Sequence, residues 1–320
     1  MLWALMATDF ALNDLPPMPL SLALAGLRLA AAGGLATVSA ANAREAMELA
    51  ASNRCRAIQW DGTAPGLRAR ELGRSARRDI AASLRRSGLA MSGCDVWIPP
   101  EHLLRSEHQH RAVEAIIGAA ELLRELWGLC EHRGEPAVCL SIPADLPETV
   151  AAALLAGSQL HGVQLADARW PRTGTRLSGS MCVDPAAVLL AGGDVAVATM
   201  QLDRFAPATP AAAPAETTPG GSGVRPGIVA TATPAVTLAC ARLSDADTAG
   251  RVLVASRAGR LDVLGYRAAL AAMNYAGFVT VDLRGLGEVL GTPALLGAAD
   301  AWLGPAGNSA NGSSGMSAGR

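Results

Sequence analysis

The chain has 320 residues, of which 50% are hydrophobic, 17% charged and 3% aromatic. This composition supports a sizeable core and excludes a globally disordered chain. The net charge is −1 and all 27 basic residues are arginines. The absence of lysine excludes Schiff-base chemistry and a lysine-containing phosphate loop, and the balanced charge argues against a dedicated nucleic-acid binder.

After a loose leader at residues 1–19, short apolar runs alternate with helical patterns. Apolar runs bounded by turn residues predict buried strands, and apolar residues at three- and four-residue spacing predict amphipathic helices. The predicted strands are 21–27, 55–60, 89–98, 137–142, 162–166, 180–183, 236–241 and 278–283. The predicted helices are 41–52, 75–87, 101–126, a segment through 189–190, 264–273 and 293–303. A further helix is predicted to begin at a capping box formed by Asp145 and Glu148, with Pro147 in its first turn, and to end at residue 155.

Eight strands that alternate with helices predict a single α/β domain over residues 20–304, a (β/α)8 TIM barrel whose middle strands are the least regular. The continuous apolar strands suit a parallel sheet that is covered on both faces. An open doubly wound sheet is the alternative. The Pro/Ala-rich segment 206–234 is predicted to be a flexible insertion, and residues 305–320 a disordered tail.

The six cysteines are widely spaced and form no C-x-x-C pair, so they predict small buried residues in a reduced, cytoplasmic protein. The apolar segment 20–41 imitates a signal peptide. However, Arg28 interrupts it and no basic residue precedes it. We therefore expect neither a secretory leader nor a membrane span.

In a (β/α)8 barrel the active site lies at the C-terminal ends of the strands, so polar residues at those ends are candidates. Asp184 directly follows an apolar strand, and Asp282 interrupts another. For Asp95, Asp145 and Asp167, helix capping or loop solvation is the favoured interpretation. The further candidates are Gln59, Asp61, Ser141, Cys240, Arg242 and Arg284.

Several segments resemble the xylose-isomerase-like barrels, a group that includes sugar phosphate isomerases and epimerases and the endonuclease IV relatives. Residues 54–61 (RCRAIQWD) resemble the second strand of the family, and residues 182–194 (CVDPAAVLLAGGD) resemble the sixth. Residues 250–262 resemble the segment before the last helix, and 274–282 (NYAGFVTVD) the last strand. The resemblance spans residues 22–285.

This resemblance implies a divalent metal (Mn, Mg, Co or Zn) that polarises a sugar carbonyl while carboxylates move protons, giving isomerisation or epimerisation of a sugar or sugar phosphate. When the roles of the family's residues are assigned to the matching positions, the resemblance implies that Asp184 and Asp282 are catalytic. It also implies that Asp184, Cys240 and Asp282 are the metal ligands. The substrate-binding residues that it implies are Gln59, Arg242 and Arg284.

The chain departs from the family pattern at several ligand positions. Ala187 stands where one ligand histidine is expected, Cys240 near another, and Gln59 at a glutamate position. Two hypotheses therefore stay open. One is a metal-dependent sugar phosphate isomerase or epimerase. The other is a catalytically inactive barrel, a pseudoenzyme without the metal, that binds a ligand or a partner. The sequence leaves the oligomeric state open.

Overall fold

The structure is a computed structural model that describes residues 18–31, 34–132, 134–171, 177, 179–202, 236–287 and 291–305. The strands in these residues are β1 (Leu20–Ala23), β2 (Arg28–Ala31), β3 (Gly34–Thr37), β4 (Cys55–Asp61), β5 (Ala90–Asp95), β6 (Ala137–Leu140), β7 (Gln164–Asp167), β8 (Ser180–Val183), β9 (Thr237–Leu243), β10 (Asp245–Ala246), β11 (Arg251–Val252) and β12 (Val279–Val281). The helices are α1 (Ala43–Ser52), α2 (Arg74–Arg86), α3 (Glu101–Leu104), α4 (Ser106–Leu129), α5 (Glu148–His161), α6 (Pro185–Leu190), α7 (Val195–Met200), α8 (Val263–Ala272) and α9 (Gly291–Leu303).

Eight of these strands close into a barrel in the order β1, β4, β5, β6, β7, β8, β9 and β12, and β12 pairs with β1. All eight neighbouring pairs are parallel. Each barrel strand coincides with one of the eight predicted strands, so the predicted (β/α)8 barrel is confirmed. The strand pairing is shortest between β7 and β8, in the middle of the chain. Among the described residues, Asp167 and Met181 form the one register pair between these two strands.

Two apolar clusters position the strands. The larger one lies between the barrel and its helices, and α4 contributes Ile116, Leu123 and Leu126 to it, each at most 1% exposed. The smaller one lies within the barrel and consists of alanines and cysteines. Its members are Ala137, Cys139, Ala166, Ala168, Cys182 and Cys240. Small side chains therefore fill a layer for which bulky branched residues are typical.

Some local predictions need correction. The helix predicted over 101–126 is two helices, because Arg105 adopts an extended backbone between α3 and α4. The predicted capping box at Asp145 does not form, since α5 begins after Pro147 without a side-chain cap. Helix α7 was not predicted, although Asp194 caps it by accepting a hydrogen bond from the backbone N–H of Val197 at 2.9 Å.

Three predicted segments lie outside the described residues. They are the insertion at 206–234, the tail at 306–320 and nearly all of the leader, up to residue 17. The antiparallel β2–β3 hairpin, which follows β1 in the chain, was not predicted. Within the described part of the chain, none of the helices combines the length and the apolar character needed to cross a bilayer.

Candidate functional site

The C-terminal ends of the barrel strands and the connections that follow them carry a linked set of three carboxylates and three guanidiniums, which we call the mouth network. Its members are Asp95, Asp184, Arg242, Arg251, Asp282 and Arg284. With every member ionised, the formal charges of this set cancel. The candidates Asp184, Arg242, Asp282 and Arg284 are thus brought together, but as partners of one another.

Arg242 forms the inner half of the mouth network. Strand β9 carries its side chain into the barrel, where both Arg242 and Asp95 have 0% exposure. The two Nη atoms of Arg242 bind the two carboxylate oxygens of Asp95, and its Nη1 lies 3.3 Å from Oδ2 of Asp282. Gln59 donates from Nε2 to Oδ1 of Asp95 at 2.5 Å. The predicted substrate-binding residues Gln59 and Arg242 are therefore buried and bound to Asp95.

The outer half of the network joins Asp184 to Asp282. Oδ1 of Asp282 accepts hydrogen bonds from the backbone N–H of Arg284 at 3.1 Å and from its Nε at 2.9 Å. Nη1 of Arg251 lies 3.4 Å from Oδ2 of Asp282. The same two arginines also reach Oδ2 of Asp184, Arg251 through Nη2 and Arg284 through Nη2 at 3.4 Å. Two guanidiniums therefore bridge the two carboxylates predicted to be catalytic.

Ser244 fixes the remaining oxygen of Asp184. Its Oγ–H donates to Oδ1 of Asp184 at 2.7 Å and accepts from the backbone N–H of Ala186 at 3.1 Å. Asp184 immediately precedes Pro185, the first residue of α6, so this serine ties the strand end to the start of that helix. Both oxygens of Asp184 are thus engaged by protein donors.

The pKa values in the network follow from burial and from the arginines. Burial raises the pKa of Asp95, and Arg242 and Arg284 offset only part of that rise. Burial acts in the same direction on Asp282, but Arg284 and Arg242 outweigh it and hold the pKa of that carboxyl well below its usual range. Burial would lower the pKa of Arg242, yet Asp95, Cys182 and Asp282 raise it well above its usual value.

Trp97 forms one wall beside the arginines. Cζ of Arg284 lies 3.4 Å from the centroid of the Trp97 ring, and Cζ of Arg242 lies 5.1 Å from it. Such a position over an aromatic face favours a cation. Two donors here, Nε1 of Trp97 and Nη1 of Arg251, are shielded from solvent and make no well-directed hydrogen bond within the described residues, although Nη1 of Arg251 is in ion-pair contact with Asp282.

The residues implied as metal ligands do not fit a hard divalent cation. Asp184 and Asp282 are bound by arginines, whose positive charge would repel a dication at that position. Cys240 belongs to a different group, since its sulfur lies within 4.8 Å of those of Cys139 and Cys182. Asp184, Cys240 and Asp282 do not form a compact donor set among the described residues.

Sequence reasoning missed several members of the site. It favoured a capping or loop interpretation for Asp95, which is instead a fully buried ion-pair partner. It favoured a core or rim position for Trp97 over a sugar-binding platform, and it gave no role to Ser244 or to Arg251, although Arg251 lies in the segment 250–262 that resembles the family. For Asp167 the loop interpretation agrees with the structure, because its Oδ1 accepts the backbone N–H groups of residues 142 and 169.

No protein-family model matches the chain, and no curated protein matches it. Among solved structures, the chain is similar to the crystal structure of the probable 3-DHS dehydratase AsbF, involved in the petrobactin synthesis, from Bacillus anthracis. The TM-score is 0.52 at 11% sequence identity, and the match covers 88% of this chain and 98% of that one. At this identity the likeness concerns the fold. The chain therefore shares a (β/α)8 barrel fold with that structure.

Proposed function

We propose that this chain is a binding barrel for a small oxyanion, such as a sugar phosphate, and that it does not carry out metal-assisted isomerisation or epimerisation. The observation that supports this proposal is the bridging of Asp184 and Asp282 by Arg251 and Arg284. The two carboxylates that would hold the metal and move protons are held by arginines. The catalytically inactive alternative is therefore favoured over the active enzyme.

The protonation chemistry supports the same choice. A general base works best when its pKa lies near the working pH. Arg284 and Arg242 hold the pKa of Asp282 well below its usual range, against the effect of burial, so its carboxylate is a weak base. Asp184 accepts from Ser244, Arg251 and Arg284 and presents no free oxygen to a sugar hydroxyl.

The exposed parts of the same arginines support an oxyanion ligand. The side chains of Arg251 and Arg284 are 17% and 21% exposed, whereas Arg242 beneath them is fully buried. A guanidinium has five N–H donors in a planar fork that suits carboxylate and phosphate oxygens. The exposed edges of Arg251 and Arg284 would therefore donate to the oxyanion.

Calorimetric titration with inorganic phosphate and with a sugar phosphate tests this proposal. Arg251→Gln should weaken binding by roughly 10- to 100-fold, the loss expected for one charge-assisted hydrogen bond. Arg78→Gln is the matched control, because Arg78 is an exposed arginine on α2. Circular dichroism would verify that both variants fold. Equal phosphate affinity in the wild type and Arg251→Gln would refute the site, and Mn²⁺-dependent sugar isomerisation that is lost in Asp184→Asn would establish the enzyme instead.

A further inference from the structure

Three cysteines meet inside the barrel, below the mouth network. Cys139, Cys182 and Cys240 come from β6, β8 and β9, and their sulfurs all lie within 4.8 Å of one another. Cys182 and Cys240 are register partners on adjacent parallel strands. The three residues are 1%, 1% and 5% exposed, and alanines surround them. We call these three residues the cysteine cluster.

We infer that the cysteine cluster is a binding site for one thiophilic d10 cation, Zn²⁺ or Cu⁺. Thiolates are soft ligands that select these ions over Mg²⁺ and Mn²⁺. Zinc binds sulfur at about 2.3 Å, which places tetrahedral sulfur ligands roughly 3.8 Å apart. The sulfurs of the cluster therefore need to move by about one ångström or less to reach that geometry.

The groups around the cluster suit a metal–thiolate centre. Nε of Arg242 donates to Sγ of Cys182 at 3.3 Å, and this charged donor stabilises a thiolate. Oε1 of Gln59 lies 3.6 Å from Sγ of Cys240 and offers an oxygen as a further ligand. Thr280 orients that oxygen by donating to it at 3.0 Å.

A cluster of thiolates loaded with Zn²⁺ is negatively charged, and one cationic side chain lies against it. Three thiolates and Zn²⁺ carry a net charge of −1, and Arg242 places a positive charge against Cys182. The thiol protons leave to solvent when the ion binds.

The cluster differs from the mouth network in both position and chemistry. It offers sulfur within the barrel, whereas the network offers oxygens that arginines already bind. The inference does not depend on the proposed oxyanion ligand, and either can fail alone.

Metal loading of the full chain tests the inference. The reduced protein is incubated anaerobically with Zn²⁺ or with Cu⁺ in separate samples, then desalted and analysed for metal. We expect about one ion per chain, and the sample that retains it identifies the ion. Cys182→Ser and Cys240→Ser should weaken binding by more than the roughly 100-fold that loss of an outer-shell partner costs. Cys55→Ser is the matched control, because Cys55 is also buried and lies outside the cluster.

Two results would overturn the inference. One is a wild-type chain with six free thiols that retains neither ion. The other is equal retention in the wild type, Cys182→Ser and Cys240→Ser. If the serine variants do not fold, X-ray absorption of the loaded wild type decides. A shell with three sulfur neighbours is expected, and a shell of nitrogen and oxygen alone would refute the site.

Discussion

The guanidinium of Arg242 binds both carboxylate oxygens of Asp95 inside the barrel, where neither side chain has any exposed surface. Removing two charges from water is costly, and a close bidentate pair offsets the cost only when further hydrogen bonds satisfy the remaining groups. Gln59 and Asp282 supply those bonds. The pair therefore links β5 to β9 across the barrel, at the level where other barrels of this fold are open to substrate.

Arg242→Ala should lower the free energy of unfolding by about 3–5 kcal/mol, because it leaves Asp95 buried without its charged partner. Denaturation with urea, followed by circular dichroism, measures this change. Arg78→Ala removes an exposed arginine and should change the stability by less than about 0.5 kcal/mol. Equal stability of the two variants would contradict the ion pair.

Replacing both Asp95 and Arg242 by apolar residues should lower the free energy of unfolding much less than replacing one of them. In the double variant Asp95→Leu/Arg242→Met no unpaired charge remains at these two positions, so most of the stability lost in Arg242→Met alone should return. A double-mutant cycle in urea measures the coupling, which should exceed about 1 kcal/mol for two residues in contact. Additive losses would show that the two side chains act independently.

Acid should destabilise the protein partly through Asp282. The pKa of its carboxyl is lowered in the folded state by Arg284 and Arg242, in opposition to burial. Its contribution to stability is therefore present above the unfolded pKa of about 3.9 and is lost as the pH falls further toward the folded value. Unfolding free energies between about pH 7 and pH 3 should fall less steeply in Asp282→Asn than in the wild type.

Asp95 should affect the pH dependence of stability in the direction opposite to that of Asp282. Burial raises its pKa in the folded state, so protonation as the pH falls favours the folded protein. Asp95→Asn removes that gain, and its stability should fall more steeply with acid than that of the wild type. Parallel profiles for the two asparagine variants would contradict the opposite directions assigned to the two carboxyls.

Gly26 should be intolerant of a side chain because of Arg284. It has a φ of +78°, and an added Cβ would lie 2.6 Å from Cα of Arg284. Gly26→Ala should therefore cost about 3 kcal/mol or more, from backbone strain plus displacement of the Arg284 backbone. Gly192 has nearly the same φ, +76°, but nothing within 4 Å of an added Cβ. Gly192→Ala should cost only the strain, about 1–2 kcal/mol, and equal losses in urea denaturation would contradict the contact.

Most of the fold could be predicted because it depends on local sequence patterns. The eight apolar runs became the eight barrel strands, and Gly88, which follows α2, has the φ of +64° that a helix end favours. The hairpin of β2 and β3 and the short helix α7 were missed, because segments of four to six residues carry too little periodicity to be recognised.

The position of the candidate site could be predicted from the sequence, but the ion pairs between its side chains could not. The sequence placed Asp184, Arg242, Asp282 and Arg284 at strand ends, where they lie. Which acid meets which arginine depends on contacts between residues far apart in sequence, such as Asp95 with Arg242. No spacing indicates that Arg251 would bridge two of the carboxylates. The three cysteines likewise looked like separate small apolar residues until the barrel closed around them.

The mouth network is proposed to bind an oxyanion and not a hard cation. Thermal-shift titrations of the wild type and Arg251→Gln, one with phosphate and one with Mn²⁺, distinguish the two ligands. We predict that phosphate raises the melting temperature of the wild type and that the rise is much smaller in Arg251→Gln. We predict no rise with Mn²⁺. Stabilisation by Mn²⁺ that disappears in Asp184→Asn, without any response to phosphate, would contradict the account.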